Sequence, residues 1–233
     1  MSDFSKIKKR EVKLKLTDLI KKNTKVIVIK KYSSVKECKQ LIDYCYDNSV
    51  PYKHRILDKK KDFWSSIDIY PVLARTRRIF KAFEFGKKAE RKFKILEEIT
   101  KFQYEYLYKD MLKKKVHSRY VAYQYPKGGG FFSKHRHPRW PTNYGIILNL
   151  SKNEKDFKKG GITNFYFKKK KILINNNDID QGDLTLFRYD LFHEVPPVDP
   201  DEILRFDKTG RWTVTFPILY VNPWMYKKKQ RPR

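Results

Sequence analysis

The chain has 233 residues, 40% of them hydrophobic and 15% aromatic, enough apolar mass for a sizeable core and too much for a disordered protein. Its 54 Lys and Arg outnumber 26 Asp and Glu, a formal net charge of +28. No apolar run approaches the ~18 residues of a membrane-spanning helix.

A surface this basic attracts anions: nucleic acid, acidic lipid headgroups, phosphorylated or carboxylated small molecules, or acidic proteins. The lysines are spread along the chain, with runs at DKKKDF, MLKKKV, FKKKKI and the C-terminal MYKKKQRPR. They read either as a lysine-biased solvated surface or as a dedicated anion-binding face. The N-terminus lacks the apolar stretch of a signal peptide, being interrupted by lysines and by Asp3, Glu11 and Asp18. The expected location is cytoplasmic, with peripheral membrane contact a minor alternative.

The first clear element is TKVIVIKKY, residues 24–32, a β-rich run. SSVKECKQLIDYCYDNS follows as a helix: Ser33 or Ser34 can cap it, and Cys38, Leu41, Ile42 and Cys45 recur at helical spacing. The two cysteines lie about 10 Å apart along that helix, too far for a disulfide. Reduced thiols fit an intracellular protein. Residues 49–76 show little periodicity and read as loop. From Arg78 to Leu112 the pattern is helical, with Ala89, Phe93, Leu96, Ile99, Phe102 and Tyr106 stepping by three or four and Gly86 a point of division.

After residue 115 the runs SRYVAYQY, TNYGIILNL, ITNFYF, KILI, DLTLFRY and RWTVTFPILY are β-branched and aromatic. PKGGG, KKGG, NNND, QGD and PVDPDE separate them as turns. Strands in series without helices predict an α+β protein. The expected form is a double-stranded β-helix, a jelly-roll or cupin-like barrel, buttressed by N-terminal helices. A single domain is expected: 1–115 as mainly helical support with an opening strand, 116–225 as the jelly-roll core, and 226–233 as a basic tail.

The β half also holds the chemistry. FFSKHRHPRW places His135 and His137 two residues apart, which on a strand puts both imidazoles on one face. His193 lies in LFHEVPPV, after a strand. Arg211 opens RWTVTF, with the Thr213 hydroxyl two residues on. His137 has a second reading, as an anion-binding or stacking residue beside Trp140. Tyr125 either donates to a ligand or packs under the barrel, Arg205 is the rival of Arg211, and GGG at 128–130 is either a simple turn or a lid.

Taken in order, these segments resemble the Fe(II)- and 2-oxoglutarate-dependent oxygenases, in particular the prolyl-hydroxylase-like branch. VIVIKKYSSVKECKQLI is similar to that branch's opening strand and helix, and YPKGGGFFSKHRH to its approach to the first metal ligand. LNLS and GGITNF resemble its paired strands, GDLTLFRYDLFHEVPPV the strand with the distal histidine, and GRWTVTF the strand whose Arg holds the far carboxylate of 2-oxoglutarate. The resemblance implies metal ligation by His135, His137 and His193. It implies a 2-oxoglutarate site at Arg211, Thr213 and Tyr125, with O2 as second co-substrate. The chain departs from the family at the iron, where His-x-Asp is replaced by His135-Arg136-His137.

The implied activity is hydroxylation or oxidative demethylation of a C–H bond. The charge points to a small-molecule or saccharide-type anionic substrate, with nucleic acid as another candidate. Two alternatives stand beside it. One is a catalytically degenerate relative that binds nucleic acid or another polyanion. The other is a three-His zinc hydrolase, for which the sequence offers no general base.

Overall fold

The computed structural model describes residues 3–47, 74–75, 77–79, 89, 91–107, 116–118, 121–137, 144–168, 170–172, 174, 178–205, 207–216 and 218–220. Gly86, Trp140 and the 226–233 tail lie outside these residues, as do most of the loop expected at 49–76 and part of the helix expected from Arg78.

Fourteen strands and three α-helices occur among the described residues. The N-terminal part contributes β1 (Phe4–Lys8), α1 (Val12–Lys21), β2 (Val26–Lys30), α2 (Val35–Asp47), β3 (Ala74–Arg75), β4 (Arg77–Ile79) and α3 (Lys94–Phe102). The β half runs through β5 (Val116–Ser118), β6 (Val121–Tyr125), β7 (Gly130–His135), β8 (Tyr144–Asn149), β9 (Asn164–Phe167) and β10 (Lys170–Ile172). It ends with β11 (Leu184–Arg188), β12 (Phe192–Val198), β13 (Arg211–Thr215) and β14 (Ile218–Tyr220).

Helix α2 begins where its sequence places it. The Ser34 hydroxyl accepts from the Glu37 amide at 3.2 Å, and the Glu37 carboxylate accepts from the Ser34 amide at 2.9 Å, a reciprocal cap. Cys38, Leu41, Ile42 and Cys45 form its buried stripe, and both thiols are free. Helix α3 passes at Gln103 into a π-helical turn that runs to Leu107, and Ala89, Arg91 and Lys92 ahead of it are helical as well. The expected start at Arg78 is wrong, because Arg77–Ile79 pairs with β6 as a strand. The elements β1 and α1 had no counterpart in the sequence reading.

Seven strands form one sheet in the order β1-β2-β11-β8-β13-β6-β4, and five form a second, β10-β9-β12-β7-β3. The expected double-stranded β-helix barrel is not formed. Among the described residues, neither sheet closes on itself: the larger ends at β1 and β4, the smaller at β10 and β3, and no strand belongs to both. The architecture is α+β with two separate open sheets.

Side-chain alternation gives the large sheet two different faces. Ile27, Ile29, Ile146, Leu148, Leu184, Leu186, Trp212 and Val214 form one core with Leu16 of α1, Leu41 of α2 and Ile99 of α3. The opposite face meets the smaller sheet in two apolar clusters. Val26, Ile147 and Phe187 pack with Phe165 and Ile172, while Val121, Tyr123 and Tyr125 pack with Val195 and Val198. Between those clusters the central strands present Thr185, Asn149, Thr213 and Arg211, all buried. A polar island thus interrupts the inner face, where burial without a purpose would cost stability.

Candidate metal and anion site

His135 closes β7 and His193 sits on the neighbouring β12, where the two residues are directly paired across the ladder. Residues so paired project side chains to the same face, and their ring centroids lie 4.2 Å apart. His137, two residues beyond His135, returns to the same side. Its backbone amide donates to Tyr189 O at 3.1 Å, and its ring lies 5.0 Å from His135 and 5.1 Å from His193. One ligand nitrogen from each of the three imidazoles lies within 4.8 Å of the others.

The ring nitrogens are sorted by their partners. His135 Nδ1 donates to Ser133 O at 2.7 Å, and His193 Nδ1 donates to Leu191 O at 3.1 Å. A carbonyl can only accept, so each Nδ1 carries the proton and Nε2 carries the lone pair. Metal-binding histidines are oriented in this way. Burial holds His193 well below the usual imidazole range, with a further push from His135 and His137. Burial, then His135, brings His137 down to about 3. Both rings are therefore neutral, the form that binds a metal.

Aromatic rings enclose the cluster. Phe187 lies 4.8 Å and Phe165 6.3 Å from His193, Phe132 is 4.6 Å from His135, and Tyr189 is 5.2 Å from His137. Phe132 and Phe165 come from the smaller sheet and Phe187 from the larger, so the cluster has apolar neighbours on both sides.

Arg211 lies across from this cluster on β13 and is buried. Its Nη2 donates to Thr163 Oγ1 at 2.8 Å and to Asn149 Oδ1 at 3.2 Å, and its guanidinium sits 5.2 Å from the Tyr125 ring. Among the described residues it has no carboxylate partner. Burial alone accounts for its pKa being lowered to about 10, with only Tyr125 opposing. Both Nη2 hydrogens are committed, which leaves Nε and Nη1 as the donors for a ligand. A buried guanidinium held by two neutral groups is a site prepared for an anion.

The fold is similar to that of several solved structures. A Trichoplax adhaerens prolyl hydroxylase, determined with a peptide fragment of the hypoxia inducible factor oxygen degradation domain, matches at a TM-score of 0.53 and 14% identity. That match covers 92% of this chain and 91% of the other. A 2OG-Fe(II) oxygenase family oxidoreductase from Burkholderia pseudomallei matches at 0.53 and 10% identity, covering 94% and 95%. A Pseudomonas putida prolyl-4-hydroxylase matches at 0.51 and 12%, covering 86% and 95%. The chain has the prolyl-hydroxylase fold. No protein-family model matches its sequence, and no curated protein does either.

Within the prolyl-hydroxylase fold, the residues singled out in the sequence fall into place as follows. His135, His137 and His193 share one site. Arg211 and Thr213 are buried on the inner face of β13, two residues apart. Tyr125 is the direct cross-strand partner of Arg211 and packs under it and against Tyr123. Arg205 is exposed and paired with Glu202 at 3.0 Å, away from the inner face. The GGG segment is a fixed turn: Gly128 and Gly129 donate to Asp199 O and Val198 O. A Cβ on Gly128, at φ 81°, would stand 2.3 Å from Leu204 N.

Asn149 and Thr163, which hold Arg211, were missed in the sequence. Their signal was a polar residue inside LNLS and the threonine of GGITNF. Thr163 reaches Arg211 because Gly160 lets the preceding turn press against β12; a Cβ there would meet Pro197 O at 1.8 Å.

Proposed function

We propose that this protein is an Fe(II)- and 2-oxoglutarate-dependent oxygenase that hydroxylates, or oxidatively demethylates, a C–H bond of an anionic substrate. The observation that carries the reading is the convergence of three imidazoles on one inner face with a buried Arg211, without a carboxylate partner among the described residues, on the other.

The donor set fits a first-row divalent ion. Three imidazole nitrogens within 4.8 Å of one another are ligands of the type that such an ion takes. Iron and 2-oxoglutarate, when bound, would supply the oxidising power, consuming O2 and releasing succinate and CO2. His135, His137 and His193 would hold the metal. Their carbonyl-anchored Nδ1–H groups keep the His135 and His193 rings aimed without reorganisation. Arg211 would receive the far carboxylate of 2-oxoglutarate through Nε and Nη1, with the Thr213 hydroxyl beside it. Tyr125 supports the guanidinium from below. Phe132, Phe165 and Phe187 keep water from the metal side, so that oxidation is directed to the substrate.

The net charge supports an anionic substrate, and a small molecule or saccharide is the class we assign. No described helix is long and apolar enough to cross a membrane. Free buried Cys38 and Cys45 agree with the cytoplasmic setting we assign. The same charge favours one other reading, a degenerate relative that binds a polyanion on its surface.

Anaerobic addition of Fe(II) and 2-oxoglutarate should produce a visible metal-to-ligand charge-transfer band, and admitting O2 should then yield succinate. A folded protein that gives neither, yet binds nucleic acid with steep salt dependence, would transfer the function to the surface.

A further inference from the structure

Among the described residues, the three imidazoles have no acid in their ligand set. Glu194, next to His193, faces the other side of β12, where it accepts from Tyr166 and from Asn164 at 3.2 Å. Asp190 is held by Arg188 and Asp183 by Lys30 and the Lys31 amide. Asp199 accepts from the Lys158 and Lys159 amides. Among the described residues, none of these carboxylates is left to balance the metal, and Arg211 adds its own positive charge nearby. Three neutral ligands around a dication in a desolvated site leave the charge of the ion unscreened.

We infer that the site takes its metal and a dianionic 2-oxo acid as a coupled pair, the bound anion supplying the negative charge that His137 withholds. The inference rests on the proposed oxygenase reading and deepens it. The metal alone meets neutral nitrogen ligands and a like-charged guanidinium. The dianion alone meets Arg211 but lacks the metal at its 2-oxo end. Each therefore raises the affinity of the other, and by the same factor, since the coupling is a property of the ternary complex. Chelation gives some coupling in any such site; an acid-free ligand set makes it larger.

The test uses Co(II), which allows binding to be read from its visible absorption without turnover. Co(II) is titrated into the full chain with and without saturating 2-oxoglutarate, for the natural protein and for His137→Asp. Equilibrium dialysis of labelled 2-oxoglutarate records binding of the anion independently. In the natural protein 2-oxoglutarate should raise Co(II) affinity at least tenfold more than it does in His137→Asp, about 1.4 kcal/mol of extra coupling. His137→Asp should also bind Co(II) more tightly alone. If His137→Asp does not fold, judged by circular dichroism, His137→Glu takes its place with the same expectation.

Equal coupling in both proteins, with 2-oxoglutarate bound in each, overturns the inference and leaves the oxygenase reading standing. Failure of 2-oxoglutarate to bind the Co(II)-loaded protein overturns both. 2-Oxobutyrate, which keeps the chelating end but has no distal carboxylate, should show a coupling at least tenfold weaker than 2-oxoglutarate. An equal effect would remove Arg211 from the pair.

Discussion

His135 and His193 face each other across the β7–β12 ladder as a registered pair, and the pairing slips immediately beyond them, between His193 and Val195. The irregularity sits beside the site, as bulges that re-aim side chains do. Two strands far apart in sequence thus present imidazoles with ring centroids 4.2 Å apart.

Removing either member of that pair should abolish metal binding. For His193→Ala and His135→Ala, Co(II) affinity should fall by more than the ~10–100-fold typical of losing an outer-shell partner, and Fe(II)-dependent succinate formation should disappear. Circular dichroism confirms folding in the same samples. Retained metal affinity in His193→Ala would remove that residue from the site.

Arg211→Met keeps much of the buried volume and deletes the charge. A hydrogen-bonded charged group contributes about 1.5–3 kcal/mol, so the KM for 2-oxoglutarate should rise roughly 10- to 150-fold. Thr163→Val removes one of the two groups that orient the guanidinium, and should raise the same KM by a smaller factor, roughly 3- to 10-fold, with kcat little changed. A fall in kcat at unchanged KM would show that Thr163 acts elsewhere.

The metal-free protein should lose stability as pH falls. His137 and His193 are held below 6.5 in the folded state, His137 at about 3. Below pH 6.5 the unfolded chain binds protons that the native chain refuses, so unfolding is favoured progressively down to about pH 3. Melting temperatures measured between pH 7 and pH 4 should decline, and saturating Co(II) should hold them up near neutrality. His137→Asn, which cannot titrate there, should decline less steeply; an identical slope would exclude His137 as a source of the effect.

Gly160→Ala should be costly despite its size. The position has φ 66°, and the new methyl would meet Pro197 O at 1.8 Å. A loss of about 2–3 kcal/mol corresponds to a melting temperature lower by roughly 4–12 °C for a chain of this length. An unchanged melting temperature would mean that the turn against β12 relaxes freely.

Much of this arrangement was legible from residue types alone. The strand β2 and helix α2 announce themselves by an apolar run and by a Ser34-to-Glu37 cap. The histidines stand out because imidazole is scarce in a lysine-rich chain. Lysine also hid what was missed. In α1 only Val12 and Leu16 are buried, and the remaining positions read as solvated coil. In β4 three consecutive residues, Arg77, Arg78 and Ile79, pair with Gln124, Tyr123 and Ala122, a partnership that local propensity does not encode. Strand order is likewise a matter of distant pairing, so a row of strand signals could not distinguish two open sheets from a closed barrel. Asn149 and Thr163 escaped notice because their task appears only when Arg211 is placed between them.

Each central strand of the large sheet serves two masters at alternate residues. On β13, Trp212 and Val214 belong to the core shared with the helices, while Arg211 and Thr213 belong to the ligand side. The helix-side core anchors the backbone independently of what the inner side chains are. Chemistry on the inner face can therefore be rewritten one residue at a time, with the sheet itself as a fixed chassis.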